Sequence, residues 1–75
     1  MTREEIVDTM WEADGHRIHC IENNGDEWTG YVDVFESAYD NQDDEKQGAS
    51  ICVQRDDGYN VIVYEDYIKE IEIID

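Results

Sequence analysis

The chain contains no leucine and no proline, a single phenylalanine, two cysteines and only five basic residues. Each shortage excludes something. Lacking leucine, the sequence is poorly stocked for helix-on-helix packing, and lacking proline it has no position barred from a sheet ladder by a missing N–H. Five cations against 21 acids leave a formal net charge of -16. The cationic footprint that supplies phosphate-backbone affinity to most nucleic-acid and anionic-membrane binders is therefore missing. Cys20 and Cys52 are too few for a disulfide framework. The opening Met1-Thr2-Arg3-Glu4-Glu5 has no apolar secretory core, so a cytoplasmic location with reduced thiols is expected. No apolar run approaches the roughly 18 residues that span a bilayer, and no membrane role is expected.

What is present favours strands. Seventy-five residues make one domain, 1–75, because a chain of this size has no material for a second core. Its apolar stock is nine isoleucines, six valines, five tyrosines and two tryptophans, the residues that suit a pleated, half-buried surface. Thr2 and Glu5 have the spacing of a capping box, which predicts a helix over about 3–14. Ile6, Val7, Met10, Trp11 and Ala13 form its apolar stripe, and Gly15 is placed to end it.

From residue 17 the period changes to two. Strands are predicted at Arg17 to Glu22 and Glu27 to about Phe35, joined through Asn23-Asn24-Gly25-Asp26. The second should carry Trp28, Val32 and Val34 on one face and Tyr31 and Phe35 on the other, bending at Gly30. Ala49 to Arg55 and Tyr59 to Tyr64 flank the hairpin signal Asp56-Asp57-Gly58, and a last strand runs from about Lys69 to Ile74. The acidic stretch at about 40–48 reads as a mobile solvated loop. Five short strands with apolar residues on both faces would leave a large apolar patch in water as a flat layer. The expected fold is therefore mainly β: a small five-stranded, strongly bent antiparallel SH3-type barrel over about 17–74, with an N-terminal α-helix.

This order of elements, with two segments, resembles the Sm-like family. TGYVDVFESAYDN, Thr29 to Asn41, is similar to the family's first motif: Gly30, Val32, Phe35 and Glu36 fall in register, and with one inserted residue Tyr39 takes the base-stacking position and Asn41 that of the loop asparagine. VIVYEDYIKEIEI, Val61 to Ile73, resembles the second motif through Val63, Asp66, Ile68 and Ile71. The resemblance implies a noncatalytic barrel that assembles through its fourth and fifth strands, here Val61, Val63, Ile71 and Ile73, and binds RNA on the face of Tyr39, Asn41 and Tyr64. Two departures weaken the RNA half of this. The family's Arg-Gly pair is Tyr64-Glu65 here, and its second glycine is Val34. Tyr64 keeps a stacking surface, but Glu65 and the acidic loop oppose phosphates.

Other constellations give less. His16, His19 and Cys20 are a zinc-like set of side chains, yet His19 and Cys20 must point to opposite faces of a strand. Asp40, Asp43, Asp44 and Glu45 lack the glycine and the terminal acid of an EF-hand loop. No metal or cofactor is therefore expected. Glu36 and Asp40 could be read as an acid and base pair, but carboxylate pairs carry little information in so acidic a chain, and a barrel this small offers little concave volume. No enzyme is expected. Two classes of function stay open: a self-assembling Sm-like interaction module, for which RNA is a ligand disfavoured by charge, and an acidic protein that mimics nucleic acid and occupies a basic protein partner.

Overall fold

The computed structural model describes residues 1–41 and 48–75. The expectation of a solvated loop at 40–48 falls largely on residues 42–47, which lie outside that range. Helix α1 spans Arg3–Glu12. Strands β1 (Arg17–Glu22), β2 (Glu27–Glu36), β3 (Ser50–Arg55), β4 (Asn60–Tyr64) and β5 (Ile68–Ile73) follow, with a short 3-10 turn at Glu65–Tyr67 between the last two.

Local chemistry accounts for the boundaries. The capping box at the start of α1 is complete: the Glu5 N–H donates to Thr2 Oγ1 at 3.1 Å and the Thr2 N–H to Glu5 Oε1 at 2.8 Å. This satisfies two N–H groups near the helix start, one of them left unpaired by the first turn. Gly15, with φ 79°, takes the left-handed conformation after the helix that side chains disfavour. The helix buries Ile6, Met10 and Ala13, a strict three- and four-residue spacing, with Val7 partly covered. Trp11, expected in the same stripe, is 70% exposed. A step of about 100° per residue carries position 11 past the edge of a face centred on 6, 10 and 13.

All strands pair antiparallel, in the order β4-β3-β2-β1-β5. At Gly30 the backbones of β2 and β3 approach closely: a Cβ there would lie 2.7 Å from the Gln54 carbonyl oxygen and 2.9 Å from Arg55 Cα. The ladder between β2 and β3 shifts between Val32, opposite Val53, and Val34, opposite Cys52. Asp33 is thus the extra residue of a bulge. It reverses the alternation expected for β2. Trp28 and Val32 face inward, but Val34 is exposed and Phe35 packs against the core instead.

One dry interior collects Ile18 and Cys20 from β1, Trp28 and Val32 from β2, Ile51 and Val53 from β3, Val63 from β4, Ile68 and Ile71 from β5, and the helix stripe. The sheet that lines it is curled. Strands β4 and β5 lie at opposite edges, yet only three residues, Glu65–Tyr67, connect them. Four peptide steps reach at most about 14 Å, whereas a flat sheet would set the two edge strands at least about 19 Å apart. The closed barrel expected from the sequence is not formed, because β4 and β5 are both edges of the sheet and no ladder joins them among the described residues. A gap remains along β4.

Candidate functional site

The residues singled out by sequence divide between two regions. At the end of the sheet near the acidic stretch, Ser37 and Asp40 form a compact turn in which Asp40 Oδ2 accepts from both the Ser37 N–H and its hydroxyl. Tyr39 projects from this turn and is 77% exposed. Asn41 does not share its exposure. It is buried, and its Nδ2 donates to the Gly48 carbonyl at 2.8 Å and to Ser50 Oγ at 3.0 Å. Those donors fasten the two stems of the 42–47 segment together. Tyr64, at the end of β4, is half-buried.

Glu65, the second residue of the Tyr64-Glu65 pair that the resemblance sets against the Sm-like Arg-Gly, is a structural residue. Its side chain is 10% exposed. Oε1 accepts the Ala49 N–H at 2.9 Å and Oε2 accepts from Arg3 Nε at 2.8 Å, while the Arg3 guanidinium also reaches Asp66. These hydrogen bonds and the nearby carboxylates push the Arg3 pKa upward. One carboxylate thus joins the helix start, the stem of the acidic stretch and the β4–β5 turn. Sequence reading found the position but not this role, because Arg3 and Glu65 are far apart in the chain and their pairing follows from where the curl brings the helix.

The arginines that are described are all engaged. Arg17 pairs with Asp56, and Arg55 pairs with Asp57 while lying 5.5 Å above the Trp28 ring. Asp56 is held below the usual carboxylate range, first by the Thr29 hydroxyl and then by Arg17. His16 is 3.0 Å from Asp75 and His19 is 3.0 Å from Glu27. No three His, Cys, Asp or Glu side chains converge as metal ligands among the described residues. Both cysteines are free and lie on opposite faces of the sheet. Burial, aided by Glu22, pushes the Cys20 thiol up to about 12. Cys52 is raised by burial and then by Glu36 and Asp33. Neither carries the thiolate character of a nucleophile.

The second region is the edge formed by β4. It is the one strand of the five with no charged residue, Asn60-Val61-Ile62-Val63-Tyr64. Val63 is buried and Val61 partly so, both facing the core, whereas Ile62 points outward and is 61% exposed. Across the outer face Ile62 stands opposite Cys52, and Cys52 opposite Val34, which makes one apolar row over three strands. A groove of about 240 Å³ runs beside this edge, lined by Val61, Ile62, Val63, Tyr67, Glu22 and Arg55. The opposite edge, β5, differs. Ile71 is buried, Ile73 packs partly against the core, and Lys69, Glu70 and Glu72 are exposed. Of the four residues expected at assembling edges, Val61, Val63, Ile71 and Ile73, all lie on edge strands, and their side chains turn toward the interior.

No helix among the described residues is long and apolar enough to cross a membrane. Set against family models, curated proteins and solved structures, the chain matches none.

Proposed function

We propose that this protein is a noncatalytic interaction module of Sm-like type that associates with protein strands, copies of itself included, along the open edge of its sheet. The observation that carries the reading is the character of β4: an edge strand with no charge, with Ile62 exposed at its centre, in a chain where 35% of residues are charged. Edge strands ordinarily carry charges, bulges or covers that prevent pairing with another chain. An edge without a charge fits a strand that receives a partner. The strand order and the curled sheet with its N-terminal helix support the Sm-like assignment.

RNA has little support as the ligand. Asn41 spends its amide donors on Gly48 and Ser50, and Arg3, Arg17 and Arg55 are all in ion pairs within the chain. That engagement favours the second reading instead, in which the surplus carboxylates mimic nucleic acid toward a basic protein. Sedimentation over a range of protein and salt concentrations tests the main reading. The expected result is a mass that rises with protein concentration and with salt, because screening weakens repulsion between chains of charge -16. A monomer under every condition refutes self-association. Retardation of uridine-rich RNA, abolished by Tyr39→Ala, would reinstate the RNA site.

A further inference from the structure

Resting on that reading of the open edge, we infer that the partner of β4 is β4 of a second copy, paired antiparallel about a two-fold axis at Ile62, so that the assembly is a closed dimer and not a head-to-tail ring.

Three observations lead there. The first is the direction of the backbone groups. The Arg55 N–H donates to the Tyr59 carbonyl at 2.8 Å and the Glu65 N–H to the Ala49 carbonyl at 2.9 Å. In an antiparallel ladder such pairs alternate, so Tyr59, Val61, Val63 and Glu65 direct their backbone groups at β3 and Ile62 directs its own away from it. A two-fold axis at Ile62 lets Ile62 and the partner's Ile62 exchange both N–H···O bonds, with Val61 set beside the partner's Val63. The second is the side-chain row. The same axis places Val34, Cys52 and Ile62 end to end with their own copies, one apolar row running over six strands. No like charges meet in this ladder because β4 has none.

The third observation concerns the other edge. A ring would need β5 to receive β4. The Ile74 N–H donates to the Arg17 carbonyl at 2.9 Å, so by the same alternation Ile71 directs its N–H outward, and Met1 Sδ already sits 3.5 Å from that nitrogen. The outward N–H at the middle of β5 thus already meets Met1, and the exposed side chains of Lys69, Glu70 and Glu72 put charge along that strand. Charge acts in the same direction: a dimer brings together two chains of -16, a six-membered ring six of them.

The test combines mass with a cross-link. In a Cys52→Ser background, Ile62→Cys places thiols opposite one another at the axis, about 5.5 Å apart between Cα atoms, within disulfide reach. Asn60→Cys is the control, since its nearest copy lies about 13 Å further along the strands. Cys20 is buried with its thiol pushed up to about 12 and does not compete. Oxidation should convert the Ile62→Cys protein to a covalent dimer and leave the Asn60→Cys protein unlinked, and sedimentation should give a dimer that tightens with salt. Ile62→Lys, at an exposed position that keeps the fold, should weaken the dimer at least about 100-fold by setting two cations at the axis, while its thermal melt remains cooperative. Assemblies larger than two, or association without the Ile62 cross-link, would overturn the two-fold pairing and leave the open edge as an interaction site. A monomer at all protein and salt concentrations would overturn both.

Discussion

Replacing Glu65 by alanine separates two opposed views of the acids in this chain. If self-repulsion governs stability, removing one of 21 acids from a chain of charge -16 should help. The geometry argues the reverse. Glu65 is 10% exposed, accepts the part-buried Ala49 N–H and holds Arg3. Loss of the carboxylate strands the Ala49 N–H away from water, which costs about 1–3 kcal/mol. The Arg3 side chain is 65% exposed, so solvent screens its half of the ion pair and the Ala49 N–H carries the effect. The expected loss is about 1–3 kcal/mol, a large share of the about 4–11 kcal/mol typical for a chain of this length.

At about 4–8 °C per kcal/mol for a small domain, Glu65→Ala should lower the melting midpoint by roughly 4–24 °C. Glu65→Gln, which keeps an acceptor for Ala49, should lose less than half of that. Circular dichroism melts at fixed ionic strength measure both. The control is Glu4→Gln, which removes an acid from the exposed first turn of α1. An alanine variant that melts at or above the wild-type midpoint would refute the structural role of Glu65, and repulsion would then be the governing term.

Gly30→Ala would drive a Cβ to 2.7 Å from the Gln54 carbonyl oxygen and 2.9 Å from Arg55 Cα, both backbone atoms of the paired strand. A loss of about 3 kcal/mol, at the upper end for overpacking, is expected in urea unfolding, and an unchanged midpoint would contradict the close approach of β2 and β3. Asp56 has its folded pKa lowered by Thr29 and Arg17, so its contribution is present above the ordinary carboxylate pKa and is lost as pH falls through the lowered folded value. The difference in midpoint between wild type and Asp56→Asn should therefore be positive at neutral pH and vanish in acid. A difference that stays constant down the whole pH series would count against that linkage.

Short-range signals were legible in the sequence wherever the physics is local. The capping box at Thr2 and Glu5 and the left-handed Gly15, Gly25 and Gly58 depend on neighbours a few positions away, whereas the demand for a residue without a side chain at Gly30 comes from Gln54 and Arg55 on the paired strand. The same local logic failed at β2. Alternation counted from Trp28 puts Val34 inside, and a single extra residue at Asp33 turns every later side chain over. Nothing in Val32-Asp33-Val34 marks the bulge, because it is set by the register with β3 and not by those residues' own preferences.

The candidate site was harder to read for a related reason. Tyr39 and Asn41 are two residues apart, yet one is exposed and the other buried, and the difference comes from Gly48 and Ser50 across the stem. Both β4 and β5 are rich in isoleucine and valine, and the sequence separates them by charge, which β5 carries at Lys69, Glu70 and Glu72 and β4 lacks. A second difference is topological. The curl makes both of them edges and then lays the start of the chain over one, so that Met1 meets the Ile71 N–H while Ile62 is left to the solvent. A contact between the first residue and one near the end leaves no trace in periodicity or spacing. It nevertheless distinguishes the two edges, because the Ile71 N–H of β5 already meets Met1 whereas Ile62 at the centre of β4 is exposed.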